Sequence, residues 1–538
     1  MDDGRLTRTL VPLMVVLAMA VSACGPPSRQ STASGGAPAS AASPSAAQPA
    51  KQGGTITIGM SKDIQVLNPL VRTISTDQVI RQVAFESLIA VDEQGNMQPR
   101  LAESWTVSPD GKSYTFVLRK GVQFHNGQEM TADDAKFAME YTMEASNGAF
   151  GFERLRPVER IETPDRYTLQ VTLRDLSSAF LPSLGGIESF SVIPRDSLEP
   201  GVDKPNAFPA GTGPFKFISW QPRQQLVFER FPGYWGRVAN IERLVIRPIE
   251  DSTVRITALR SGDVDIIERT PYEWVQQIKD GKLPGIALTE AHTAGYRRLL
   301  FNTADPPFDN LKLRQAVAYG TDMREVLQAA FFGFGEIADQ KYPVGHKWYV
   351  PGVPSYPYDP DRAKAVLAES GYNGEPIPMY IENAADMQTV AATIQAQMRK
   401  IGVNIQIQTL EFASQRDLIA KGQFTFDFMG SNYYDDPYST YNDLVCESPR
   451  NRIVNYAGYC SAEVDTKLRQ IERELDPAKQ QALLKEVLVK RYDDIPQGTG
   501  LFVPRFYAFR DKVKDFVTDD DQNLVWQKGG LNYAWVDS

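Results

Sequence analysis

The sequence predicts an α/β protein, and three local patterns lead to that reading. Ile56, Ile58 and Met60 alternate with Thr55, Thr57 and Gly59, the two-residue period of a strand. A helix over about Asp386 to Lys400 stops at Gly402, and Val403, Ile405 and Ile407 then alternate with Asn404, Gln406 and Gln408. Helix, glycine and half-buried strand in that order make an α/β unit. Asp359-Pro360 opens another helix, because proline suits a first turn that has no use for its N–H. Ala363, Val366 and Leu367 share one face of it, and Gly371 follows its end.

The other elements follow the same logic. Trp105-Thr106-Val107 and Tyr114 to Leu118 flank Ser108-Pro109-Asp110-Gly111, which predicts a hairpin with Pro and Gly where a turn wants them. Thr131 can cap a helix whose first turn holds Asp133 and Asp134, acids that favour the positive end of the helix dipole. A further helical region covers about Ala462 to Tyr492 and breaks near Asp476-Pro477. No internal repeat of 20–50 residues is evident.

Composition narrows the function. The 538 residues hold 57 Lys+Arg against 66 Asp+Glu, so the net charge is 57 − 66 = −9. An acidic chain is a poor nucleic-acid or anionic-membrane binder, because such surfaces are rich in Lys and Arg. Three His and three Cys leave little for a zinc-rich or disulfide-built protein. After the N-terminus no stretch of about 20 apolar residues could span a bilayer.

The N-terminus itself reads as a secretion signal over 1–23. Arg5 and Arg8 supply its positive region, and Leu10 to Val21 form an apolar run too short for a stable span. It closes in Val21-Ser22-Ala23-Cys24, which resembles the lipobox of bacterial lipoproteins and makes Cys24 the expected site of lipid attachment. The alternative is an ordinary signal peptide with a chance cysteine. Residues 24–53 are almost wholly Gly, Pro, Ser, Ala and Gln, which cannot bury a core. They predict a flexible tether, with a reach on the order of 28 Å by random-coil scaling. Two acyl chains would hold stably where one would not, and a tether keeps the folded body near a membrane partner.

Four spaced motifs carry a specific resemblance. Leu101-Ala-Glu-Ser-Trp105 through Tyr114 to Arg119, Gly121 to Gly127 and Thr131-Ala-Asp133 form the first. Gly211-Thr-Gly-Pro-Phe-Lys-Phe217 with Tyr234-Trp235, Pro306 to Ala316, and Tyr358-Asp-Pro-Asp361 follow in order. Together they resemble the peptide/nickel-type (family 5) extracytoplasmic solute-binding proteins of ABC importers, over about residues 54–538. The resemblance implies a two-lobed periplasmic-binding-protein fold (type II, Venus-flytrap) with an extra inserted subdomain. Lobe one would comprise 54–88, 206–295 and 511–538, the inserted subdomain 89–205, and lobe two 296–510. The crossovers would lie near Gly295-Tyr296 and near Phe509-Arg510. Ligand would be enclosed as the lobes close by hinge motion.

Several motifs are set aside. Gly111-Lys112-Ser113 ends like a phosphate-binding loop, but Thr106 stands where its first glycine belongs. His125, His292 and His346 are far apart and lack metal-ligand spacing. His125 belongs to the first motif and reads as a structural hydrogen-bonding residue. No nucleophile elbow is present. Cys446 and Cys460, 14 residues apart, are expected to form a disulfide in an oxidising compartment, against the alternative of two free thiols. The sequence implies no cofactor, no metal and no catalytic residue.

In peptide-binding members of the family an Asp before an aromatic–x–acid–Pro run holds the ligand ammonium. Here the stretch is Asn432-Tyr433-Tyr434-Asp435-Asp436-Pro437, and Tyr433 stands at that position. A buried ammonium without a counter-charge is costly, so either Asp435 substitutes or the ligand is not a simple peptide. Candidate ligand contacts are Tyr433 and Tyr434, whose rings stack and whose hydroxyls bond, with Asp435, Ser75, Thr76, Tyr296, Trp348 and Tyr349. Arg297 and Arg298 could pair with a ligand carboxylate, one of them alternating outward.

The expected function is therefore a monomeric, lipid-anchored receptor outside the cytoplasm, in the periplasm or on the outer face of the cell membrane. It would pass a peptide to ABC permease subunits and their ATPase; the same role for a sugar or opine is the alternative. An exported hydrolase would need a positioned nucleophile and base, which these motifs do not assemble. A chaperone-like holdase and a nickel binder are the remaining alternatives.

Overall fold

The computed structural model describes residues 51–538 except 65, 72–77, 93–94, 145–146, 148, 150, 186–189, 196, 198–207, 292–294, 432–435, 447–453, 519–524, 527–528 and 538. Two large sheets and one smaller sheet organise these residues. Sheet one has seven strands in the order Ile286–Ala291, Arg505–Arg510, Ile266–Ile267, Thr55–Met60, Arg243–Pro248, Gln225–Arg230 and Phe215–Gln221. The opening strand runs parallel to both of its neighbours, so it is central, with Ile56, Ile58, Gly59 and Met60 all buried. Central parallel strands are covered on both faces, which explains burial beyond simple alternation.

Sheet two has six strands in the order Glu336–Ala338, Gln497–Phe502, Tyr296–Phe301, Phe426–Ser431, Ile377–Glu382 and Ile405–Leu410. Alternation along its strands divides two cores. Leu299, Phe301, Phe426 and Phe428 face the helices Leu311–Gly320 and Ala385–Ile401. Leu300 and Met429 face the helices Ala462–Glu472 and Pro477–Asp494. The predicted α/β unit is present: Ile377–Glu382 and Ile405–Leu410 pair in parallel, joined by the helix that ends at Gly402. Asp359 accepts from the Arg362 N–H at 2.9 Å, and Asp476 accepts from Ala478 N–H at 2.9 Å, each capping a helix that begins with proline.

The third sheet is the order Ala102–Val107, Ser113–Leu118, Thr168–Leu173 and Val158–Asp165, all antiparallel. Its first two strands are the predicted hairpin. Thr131 and Asp134 form a reciprocal capping box at the start of the helix Ala132–Met143. Phe116, Leu118 and Leu169 belong to the same continuous core as Ile56, Ile58 and Leu244 of sheet one.

The first two of the four sequence landmarks explain themselves as packing. Glu86, fully buried, accepts from Thr212 Oγ1 at 2.8 Å, Tyr234 Oη at 2.9 Å and Trp235 Nε1 at 2.8 Å, and pairs with Arg100 at 3.3 Å. His125 bonds the Gly213 carbonyl through Nε2 at 2.9 Å and accepts the Gly211 N–H at Nδ1. The first two motifs are thus bonded to each other, and His125 has the structural role.

The chain passes between the large sheets after Ala291, entering sheet two at Tyr296, and returns at Val503-Pro504. The return lies earlier than the expected Phe509-Arg510, because Arg505–Arg510 is hydrogen-bonded between two strands of sheet one. Apart from Pro504 and Arg505, the run Leu501 to Phe509 is apolar or aromatic on both sides of the crossing, so hydropathy alone does not separate the strand of one sheet from that of the other.

Burial depresses the His125 pKa to about 4 from 6.5, so the folded chain keeps it neutral while the unfolded chain protonates it. Stability from this residue is present above about pH 6.5 and is lost as pH falls toward about 4, by on the order of 3 kcal/mol. Urea unfolding of wild type and His125→Asn across that window is expected to show a shallower pH slope in the variant. Parallel slopes would contradict the assignment.

Candidate functional site between the two large sheets

The carboxyl ends of parallel strands collect charged residues where the sheets meet. Ser61-Lys62 follows the opening strand, Glu268-Arg269 follows Ile266–Ile267, and Glu382 ends its strand on sheet two. Lys62 Nζ lies 3.2 Å from Glu382 Oε1 and 4.0 Å from the Phe412 ring centroid, an ion pair and cation–π contact that join the two sheets. Glu268 accepts from Ser61 N–H at 3.1 Å and Ser61 Oγ at 2.6 Å, and pairs with Arg269 at 2.9 Å. Burial opposes the Arg269 charge, but Glu268 and then Glu382 overcome it and hold the guanidinium above its ordinary range. Burial, followed by repulsion from Arg269, pulls Arg505 down to about 10.

Behind these residues Arg255 fixes the loops. Its guanidinium donates to the carbonyls of Ile249 at 2.7 Å, Glu250 at 3.1 Å, Glu268 at 3.1 Å and Arg269 at 3.2 Å. Arg269 has φ 49°, a left-handed conformation that a non-glycine residue adopts only when its surroundings hold it there. Arg255 supplies that hold. Sequence reading missed this group because its members are separated by up to several hundred positions; the signal was charge directly after each predicted strand.

A second polar group lies inside sheet two. Asp443 accepts from Arg298 Nη2 at 3.1 Å, Lys341 Nζ at 2.6 Å and Gln497 Nε2 at 2.8 Å. Burial opposes its charge, yet Lys341 and Arg298 hold the carboxyl below its ordinary range. Arg298 is therefore engaged internally and not offered to a ligand, while Arg297, half-buried, points to the Met387 sulfur at 3.1 Å.

The sequence candidates fall as follows. Ser75, Thr76, Tyr433, Tyr434, Asp435 and Cys24 lie outside the described residues. Tyr296 is 1 % exposed and packs with Phe502 and Ala338, on a central strand of sheet two. Trp348 is 7 % exposed in the core with Tyr441 and Leu444, and Tyr349 is half-buried beside them. Tyr296 pairs with Ser431, and Tyr342 Oη donates to Thr440 Oγ1 at 2.8 Å. Tyr296 thus lies beside Ser431, and Trp348 and Tyr349 pack in the aromatic corner that holds Tyr438 and Tyr441. Asp436 caps the helix Pro437–Tyr441, accepting the Ser439 N–H at 2.7 Å. Burial raises its pKa, and Arg154 and Lys347 oppose that rise. Cys446 and Cys460 are joined by a disulfide with Cα atoms 4.6 Å apart. No helix among the described residues is long and apolar enough to cross a membrane.

Residues 96–451 match the family described as bacterial extracellular solute-binding proteins, family 5 middle. The chain belongs to this family. Among its relatives, heme-binding protein A of Haemophilus influenzae is 30 % identical over 78 % of this chain and 82 % of its own length. Glutathione-binding protein GsiB of Pectobacterium atrosepticum is 27 % identical over 82 % of this chain and 87 % of its own. The solved structure of AgaA from A. tumefaciens R10 with agropinic acid superposes with TM-score 0.77 and 26 % identity. That match covers 90 % of this chain and 99 % of the other. The fold is accordingly the two-lobed solute-binding fold, one large sheet in each lobe, and the chain is an extracytoplasmic solute-binding protein of an ABC importer.

Removing the Asp443 carboxylate leaves two buried cations without their counter-charge. Asp443→Ala is expected to lower unfolding free energy by roughly 3–5 kcal/mol, measured by urea denaturation. A loss below about 1 kcal/mol would show that the network does not hold lobe two together.

Proposed function

We propose that this solute-binding protein is anchored through lipid on Cys24, captures small peptides (oligo- or dipeptides) between its lobes and delivers them to the permease. Lobe one and its inserted subdomain would carry sheet one and the four-stranded sheet, and lobe two the six-stranded sheet. The observation that carries the peptide reading is the mixed charge at the aromatic corner of lobe two. Asp436 is buried at the start of the helix Pro437–Tyr441, and Arg154 of the inserted subdomain and Lys347 of lobe two act on it electrostatically from the two sides of the boundary. A zwitterionic ligand needs both signs of charge, since an enclosed charge without a partner is costly. Glutathione, the ligand in a relative's name, is itself a small peptide.

A second reading keeps the receptor and changes the cargo to an opine or a similar polar solute. Tyr433, in place of the ammonium-holding Asp, favours it, as does the agropinic acid bound by AgaA. Tyr433 and Tyr434 are the proposed stacking contacts, with Asp435, Ser75 and Thr76 supplying polar groups and Tyr349 the lobe-two wall.

Native mass spectrometry of ligand carried through purification, then calorimetry with glutathione, dipeptides, opines and sugars, decides between these readings. Tight one-to-one peptide binding is expected, weakened tenfold or more, about 1.4 kcal/mol, by Tyr433→Ala. Tight opine or sugar binding with no response to peptides would replace the first reading by the second. Palmitate labelling in cells is expected for wild type and absent for Cys24→Ser; equal labelling would remove the anchor.

A further inference from the structure

The four-stranded sheet shares its core with sheet one, yet its edge reaches lobe two. The helix Ala462–Glu472 ends with carbonyls that have no partner within the helix. Ser178, just beyond the strand Thr168–Leu173, takes two of them. Its N–H donates to the Glu472 carbonyl at 2.7 Å and its Oγ donates to the Ile471 carbonyl at 3.1 Å. Nearby, the turn of the hairpin meets Leu475, which is 46 % exposed. Gly111, at φ 72°, lies so close that a Cβ there would stand 2.6 Å from Leu475 Cδ1 and 3.4 Å from Leu176 Cδ1. Lys347 of lobe two donates to the Gly95 carbonyl. Arg156, after the short helix Phe152–Leu155, acts on the Glu472 carboxyl across the same boundary.

These contacts differ in kind from those within each lobe. They are two hydrogen bonds from the half-buried Ser178, one leucine against a glycine turn, a lysine on a carbonyl and an arginine acting on a carboxyl, with no hydrophobic cluster shared across the boundary among the described residues. Such a boundary can open without unfolding either side. Because the smaller sheet is packed onto sheet one, it travels with that lobe.

We propose that the four-stranded sheet is a second jaw of the receptor, and that Ser178, Gly111 and Leu475 form a rim catch made on closure. The catch lies outside the aromatic corner and sets how long the solute is held. This inference rests on the reading that the chain encloses a solute between its lobes. Opening requires Ser178 to leave the helix end, so losing the catch accelerates release. Entry precedes the catch, so association is unaffected.

Spin labels at Pro109→Cys and Lys479→Cys in the mature full-length protein report the distance across this rim. Both sites are exposed, and the native Cys446–Cys460 pair is already bridged. Wild type is expected to show a short-distance population that Leu475→Asp reduces at least fivefold, with Ser178→Ala reducing it less. Leu475 is exposed enough that the thermal midpoint should hold, which separates an opened rim from an unfolded chain. With glutathione as the probe, dissociation should be at least fivefold faster in Leu475→Asp and association unchanged. No short population in wild type, or one that Leu475→Asp leaves intact, overturns the catch. Failure of glutathione to bind wild type counts against the peptide reading alone, because the rim distances are measured without ligand.

Discussion

Everything in this molecule depends on how narrowly its two large sheets are connected. The Val503 N–H donates to the Gly295 carbonyl at 3.0 Å, so the two crossings run side by side. They pass so closely that a Cβ on Gly295 would lie 2.5 Å from the Val503 carbonyl oxygen. Only glycine allows that approach without displacing backbone. Tyr272 Oη, bonded to the Pro504 carbonyl at 2.9 Å, ties lobe one to the same point. Two short crossings leave few dihedral angles to change, which is the geometry of a hinge.

The charge distribution follows from that connection. Parallel strands on either side direct their carboxyl ends toward the boundary, so Lys62 and Arg269 of one sheet meet Glu382 of the other, with Arg505, which opens an antiparallel strand, acting on Arg269. The Lys62–Glu382 pair is partly exposed, and such pairs contribute roughly 0–1 kcal/mol. A boundary held by contacts of that size is stable closed or open within a small energy difference, as a receptor requires. Within lobe two the balance is opposite: Asp443 and its cations are sealed, and breaking them would unfold structure rather than move it. The strong electrostatics therefore hold each lobe rigid, and the weak electrostatics lie between the lobes.

The sequence was most informative where structure is local. Thr131, Asp359-Pro360, Gly402 and the Ser108–Gly111 turn act on their own neighbours, and each element stands where its signal placed it. The family landmarks were legible as motifs, but their convergence on Glu86 and His125 is a tertiary fact with no local mark. The same holds for the site. Ser61, Lys62, Glu268, Arg269, Glu382 and Arg505 come together only after folding, and Arg255 orients two loops through carbonyls, which no side-chain pattern reveals. Tyr296 reads from sequence as an aromatic next to a crossover, and that its ring packs on Phe502 and Ala338 within a central strand carries no local mark. The crossing at Val503-Pro504 was hidden because apolar and aromatic residues continue on both sides of Pro504 and Arg505.

Small-angle scattering on mature protein stripped of ligand, then saturated with the solute recovered from it, tests the two-lobed capture mechanism most directly. The account predicts a smaller radius of gyration with solute bound and a return to the larger value on its removal. Superimposable curves, with the solute bound stoichiometrically, would contradict closure about the crossing at Gly295 and Val503.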